Sequence, residues 1–159
     1  RRYTEAIAAT EKFIEREPRY ALAQLFLSSM IWRDGRYREA INLVNRAIGL
    51  LGRTPYTLVW LASAYAAGGD TKEAKNLLVE IEELSSRRYI SLYLLAMVYV
   101  NLNDTEKSLD LLEKAWEIRD GRLVWLAVDP QFDALRSNPR FEKILRQVNN
   151  PIARLNDET

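Results

Sequence analysis

The stretch Leu61-Ala62-Ser63-Ala64-Tyr65-Ala66-Ala67-Gly68-Gly69-Asp70-Thr71-Lys72-Glu73-Ala74 decides the fold, because its pattern recurs at a fixed interval of 34 residues. One interval earlier stand Leu27-Ser28, Ile31 and Ala40; one interval later stand Leu95-Ala96, Tyr99 and Ser108. The column of Ala74 also reaches back to Ala6. Three residues ahead of it run Tyr3, Tyr37, Thr71 and Thr105, and seven behind it run Phe13, Ala47, Ile81 and Ala115. Self-similarity across this many columns, with no slip of register, is the mark of a tandem repeat.

Each unit divides into two amphipathic stretches of about a dozen residues, three to four helical turns. The turns between them are Arg33-Asp34-Gly35-Arg36, Ala67-Gly68-Gly69-Asp70 and Asn101-Leu102-Asn103-Asp104. Gly and Asn accept the left-handed conformation that ends a helix, and Asp caps the next one. Asp70 to Glu73 reads as a capping box, and Thr54-Pro55 as a cap followed by proline at the first helical position. The repeated small residues predict close helix crossings, which a larger side chain would force apart.

Composition narrows the chemistry. The 159 residues contain neither cysteine nor histidine, which excludes Cys/His zinc sites, thiol chemistry and a Ser-His-Asp triad. Lysine plus arginine is 23 and aspartate plus glutamate 22, a net charge of +1, so no long-range field draws nucleic acid or an anionic membrane. No apolar run has the roughly 18 residues of a membrane span, and Arg1-Arg2-Tyr3-Thr4-Glu5 lacks the apolar core of a signal peptide. The missing cysteines fit a reducing, cytoplasmic compartment, though exported domains also lack them.

These columns resemble the tetratricopeptide repeat: 34 residues, helix-turn-helix, Leu-small in the first helix and aromatic-x-x-Ala opening the second. The resemblance covers about residues 1–120. The tryptophan usual early in the first helix is replaced by Gln24, Leu58 and Leu92, and the usual glycine by Ser28, Ala62 and Ala96. The usual closing proline remains as Pro18, and Pro55 arrives after the extra loop Leu51-Gly52-Arg53-Thr54. The resemblance implies an all-α, right-handed α-solenoid of helix-turn-helix repeats with a C-terminal helical cap. The expected organisation is a second helix of an incomplete repeat (1–19), repeats at 20–54, 55–88 and 89–121, a closing cap at 122–148 and a flexible tail at 149–159. Beginning on a second helix predicts a piece of a longer solenoid.

The closing segment carries Asp129-Pro130, Phe132-Asp133, Leu135-Arg136 and Pro139-Arg140-Phe141. It is similar to a motif that follows the repeats of multidomain bacterial regulators: serine/threonine kinases, adenylate cyclases and winged-helix transcription factors. Asp-Pro and Asn138-Pro139 predict a short helix and a final helix ending near Val148. Trp125, Phe132 and Phe141 are expected to cover the last repeat.

The family binds peptides along the first helices of its hairpins. Register then places Leu22, Leu25, Ser29, Trp32 and Arg33, then Tyr56, Val59, Ser63 and Ala67, then Ile90, Tyr93, Met97 and Asn101 on a concave groove suited to a protein or an amphipathic peptide. The chaperone-cofactor subclass grips a terminal carboxylate with Lys and Asn, but the matching positions here are Leu25, Ser29, Val59, Ser63 and Tyr93. Arg33 is the one cation of the set.

No catalytic constellation, metal or cofactor site stands out. Glu80, Glu82 and Glu83 spread round an outer helix face, Asp129 reads as a cap, and Gly68-Gly69 is a turn. Arg136, Arg140, Lys143 and Arg146, like Arg87-Arg88, are diluted by neighbouring glutamates, so no nucleic-acid partner is expected. The expectation is therefore a non-enzymatic recognition module, belonging to a regulator whose effector domain lies upstream. The alternative is a homodimer formed through the groove or the orphan first helix.

Overall fold

The computed structural model describes residues 3–85 and 89–149, with only the backbone of Tyr3. Arg87-Arg88 and the tail from residue 150 onward lie outside the described residues. The described elements are helices α1 (Tyr3–Arg16), α2 (Ala21–Ile31), α3 (Tyr37–Leu51), α4 (Pro55–Ala67), α5 (Thr71–Ser85), α6 (Leu92–Asn101), α7 (Thr105–Glu117) and α8 (Pro139–Asn149). Three 3-10 segments, Trp32–Asp34, Gly121–Trp125 and Pro130–Leu135, complete the chain, and no strand occurs among the described residues. The all-α tandem-hairpin expectation therefore holds.

The turn chemistry repeats as strictly as the core. Gly35, Gly69 and Asn103, spaced by one interval each, all have left-handed backbone, at φ 78°, 85° and 60°. Only glycine, or asparagine at a small cost, reverses the chain there. Asp104 then accepts from the Lys107 amide (3.0 Å) and Asp70 from the Glu73 amide (3.1 Å). The reciprocal half of the box expected at Asp70 is not its partner: the Glu73 carboxylate accepts from Asn76 Nδ2 instead. The complete box is at α4, where Thr54 accepts from the Thr57 amide and Thr57 Oγ1 accepts from the Thr54 amide, with Pro55 behind the cap.

Two compact units divide after Ile90. In the first, α2 packs on α3 and α4 on α5 as hairpins, α3 also meets α4, and α1 lies against α2. Its core joins Leu25, Ile31, Ala40, Val44, Ala47, Leu58, Ala62, Ala74, Leu77 and Ile81. The small residues Ala40, Ala62 and Ala74 are fully buried as the crossing argument requires, whereas Ala6 of the same column is exposed on α1.

In the second unit α6 and α7 form the hairpin, α8 lies on α7, and the 3-10 segment Pro130–Leu135 lies on α6. Phe132 and Phe141 are fully buried and stack at 6.1 Å. Trp125 corrects its expected role. It is 60% exposed, with Val124 and Val128 beside it in sequence equally outside, while Leu123 and Leu126 turn inward. The three-residue turn of the 3-10 winding brings Leu123 and Leu126 to the same inward side and leaves Val124 and Trp125 between them facing out.

Candidate functional site

The first helices of the hairpins contain no charged residue: Ala21–Ile31, Pro55–Ala67 and Leu92–Asn101 are apolar apart from hydroxyls and amides. The second helices carry the charge. This division leaves the first helices to present side chains either to the core or to a partner.

In the first unit the structure separates the two roles. Leu22 and Arg33 are exposed, and Ser29, Tyr56, Ala67 and Ile90 are half-buried. Leu25, Trp32, Val59 and Ser63 are instead core residues. The physical reason is phase. The outward stripe of α2 and the 3-10 turn after it runs through Leu22, Phe26, Ser29 and Arg33, at helical spacings of four, three and four. Leu25 and Trp32 fall one step off that stripe, and Trp32 turns in to meet Trp60 at 6.5 Å.

Phe26, absent from the expected set, is 51% exposed. Its ring stands edge-on to Trp60 at 5.9 Å, and Tyr56 approaches the same indole at 6.3 Å. Phe26 and Tyr56 thus form an aromatic edge around a buried tryptophan, with exposed Leu22 one helical turn from Phe26 on the same stripe. The 4-3-4 spacing of Leu22, Phe26, Ser29 and Arg33 is the sequence signal that identifies it.

In the second unit the closing segment covers the expected surface. Tyr93 and Met97 are buried, so neither offers a contact, and half-buried Asn101 donates from Nδ2 to the Met97 carbonyl (3.0 Å). The Tyr93 hydroxyl donates to Asp129 Oδ2, and its ring meets Phe132 edge-on at 5.0 Å. Burial, reinforced by the Asp129 carboxylate, pushes the Tyr93 hydroxyl far above its ordinary pKa. Asp129 also caps Pro130–Leu135 through the Gln131 amide (2.9 Å). Asp120 fixes the start of α6 by accepting from Ser91 Oγ (2.6 Å), the Tyr93 amide (3.3 Å) and the Arg122 amide (3.1 Å). Both aspartates are structural.

Several further carboxylates are paired with arginines. Glu80 takes a two-pronged contact from Arg53 (2.7 and 2.6 Å), whose hydrogen bonds hold its carboxyl below the usual range. Arg140 reaches Glu106 (2.7 Å), Asp110 (2.8 Å) and Glu113 (2.7 Å), tying α8 to α7 and lowering the Asp110 pKa. Arg136 pairs with Asp133 (2.6 Å). The C-terminal arginines expected to be diluted by acids are therefore internally matched. Among the described residues no group of three or more acidic side chains is arranged to hold a metal, and no helix is long and apolar enough to cross a membrane.

The sequence matches the family described as "Anaphase-promoting complex, cyclosome, subunit 3" over residues 33–115. It matches the family described as "Tetratricopeptide repeat" over residues 1–56. No curated protein matches the chain. Among solved structures, the chain is similar to the crystal structure of MamA, with a TM-score of 0.47 and 17% identity over 98% of this chain and 91% of that one.

Proposed function

The chain belongs to the tetratricopeptide-repeat family, and on that premise we propose that it is the recognition module of a larger regulatory protein, binding a protein or amphipathic peptide and performing no chemistry itself. Tetratricopeptide repeats generally act as scaffolds for protein–protein interaction. The observation that carries the reading is the edge of Leu22, Phe26 and Tyr56 on uncharged helices, where a half-exposed phenylalanine leans on a buried indole. An aromatic anchor in such a setting is what dominates binding energy at protein interfaces. The regulatory assignment rests on the closing motif Asp129-Pro130-x-Phe132-Asp133-x-Leu135-Arg136, which resembles that of bacterial regulators. Of the carboxylates, Glu80 and Asp133 are committed to arginines and Asp129 to a helix cap, which supports the non-catalytic part.

The test is partner capture by three versions of the chain: the native one, Phe26→Glu, and Val79→Glu as a control on an exposed site of α5. A charge on the aromatic edge must be desolvated on binding and should abolish capture, whereas the control should not. Identical capture by all three excludes the edge as the working surface.

A further inference from the structure

The outward stripe Leu22, Phe26, Ser29 and Arg33 recurs one interval later as Tyr56, Trp60, Ser63 and Ala67 on α4. On α2 the stripe stands in solvent apart from half-buried Ser29, whereas on α4 Trp60 is 4% exposed and Ser63 is fully buried. That burial leaves two polar atoms unmet: neither the Trp60 indole N–H nor the Ser63 hydroxyl has a hydrogen-bond partner among the described residues. A serine in a helix has a carbonyl of the preceding turn within reach, and Ser29 uses it, donating to the Phe26 carbonyl (2.8 Å). Ser63 makes no such bond to the equivalent carbonyl of Trp60. Unmet buried donors cost free energy, and two of them one helical turn apart on a single stripe require a reason.

We propose that the edge takes a proline-rich segment in polyproline II conformation, whose carbonyls accept from Trp60 Nε1 and Ser63 Oγ while its rings pack against Phe26 and Tyr56. The inference rests on the recognition reading above and gives its partner a conformation. Hydrogen-bond chemistry selects the occupant, because an indole N–H can only donate and so requires an acceptor. A helical peptide has spent its carbonyls internally, apart from its last turn, and an extended strand pairs with a sheet edge, which does not occur among the described residues. A polyproline II chain keeps every carbonyl free, and its prolines bring no N–H of their own to be desolvated. Neither α2 nor α4 carries a charge, and Arg33 of the first stripe becomes Ala67 on the second, so a carboxylate or phosphate would be buried unpaired beside the indole. The Phe26 and Tyr56 rings stand edge-on to Trp60, and Phe26, half in solvent, turns to a neighbouring rotamer to admit the ligand without disturbing the core.

The test is titration of the full chain with decaproline up to about 1 mM, followed by NMR of the assigned Trp60 indole N–H. In the free chain that proton should resonate as an unbonded indole, and decaproline should move it downfield as a carbonyl closes on it. Ser63→Ala, with its melting temperature unchanged or raised, should bind decaproline about threefold to tenfold more weakly, Phe26→Glu at least about tenfold more weakly, and Val79→Glu as the native chain does. A free-chain resonance already at the hydrogen-bonded position, or one that decaproline leaves in place, overturns the proposal. A helix-forming Leu/Lys peptide titrated alongside separates the two readings. If that peptide binds, loses its binding to Phe26→Glu and leaves the Trp60 proton unmoved, while decaproline does not bind, the inference falls and the recognition edge stands. If neither peptide binds and partner capture is also indifferent to Phe26→Glu, both fall.

Discussion

The hydroxyl of Ser108 on α7 donates to the carbonyl of Ala96 on α6 across 3.0 Å, with both residues fully buried. That contact fixes how closely the two helices of a hairpin cross, and it explains the column of small residues: Ala40 and Ala74 occupy the matching positions and are likewise fully buried. Ala74→Leu should therefore overpack the α4–α5 crossing and cost about 1–3 kcal/mol. Thermal unfolding followed by circular dichroism reads this as a drop of about 2–4 °C per kcal/mol at this chain length. A native melting curve would mean that the crossing is looser than the Ser108–Ala96 distance implies.

The closing segment offers a paired comparison within one apolar stretch. Phe132 is fully buried between Tyr93 and Phe141, so Phe132→Ala should cost about 3–5 kcal/mol through lost burial and a residual cavity. Trp125, the larger residue, lies mostly in solvent, and Trp125→Ala should stay within about 0.5 kcal/mol of native. Denaturant titration of both variants decides it. Equal losses would place Trp125 back under the cap.

Two serines on first helices predict opposite outcomes. Ser28 is buried and donates to the Leu25 carbonyl at 2.6 Å, whereas the buried Ser63 hydroxyl has no hydrogen-bond partner among the described residues. Ser28→Ala should destabilise by up to about 1 kcal/mol, while Ser63→Ala removes an uncompensated polar group and should leave stability unchanged or raise it by up to about 1 kcal/mol. A clear loss on Ser63→Ala, measured by denaturant midpoint, would reveal a partner for that hydroxyl.

The hairpins were legible because the repeat makes one physical requirement visible several times over. Gly35, Gly69 and Asn103 each had to accept left-handed backbone, and Ala40, Ala74 and Ser108 each had to fit under a crossing helix. Register alone could not give the burial of each expected contact. It names a helix face, but the boundary between stripe and core shifts with every neighbour, so Leu25 and Trp32 went inside and Phe26 came out. Tyr93 and Met97 were lost to a different cause. Tyr93 is covered by a non-repeating 3-10 segment, and nothing in the periodicity of α6 records where Asp129 and Phe132 return. Within the run Leu123 to Val128, hydrophobicity likewise does not tell an inward residue from an outward one.

The contact between Arg53 and Glu80 predicts how acid weakens the first unit. Glu80 has its pKa lowered from the ordinary 4.5 by hydrogen bonds from Arg53, and the guanidinium stays charged throughout. A carboxylate depressed in the folded state contributes stability that is fully present above its unfolded pKa and is lost as pH falls through its folded one. Glu80→Gln should therefore be less stable than native at neutral pH, and the gap should close as the pH drops below the ordinary glutamate range. With Arg53 half in solvent, screening limits the neutral-pH difference to about 0.5 kcal/mol. Melting temperatures of the two proteins across that pH range, at low salt, provide the measurement. A gap that stays constant into acid would mean that Glu80 contributes through packing rather than charge.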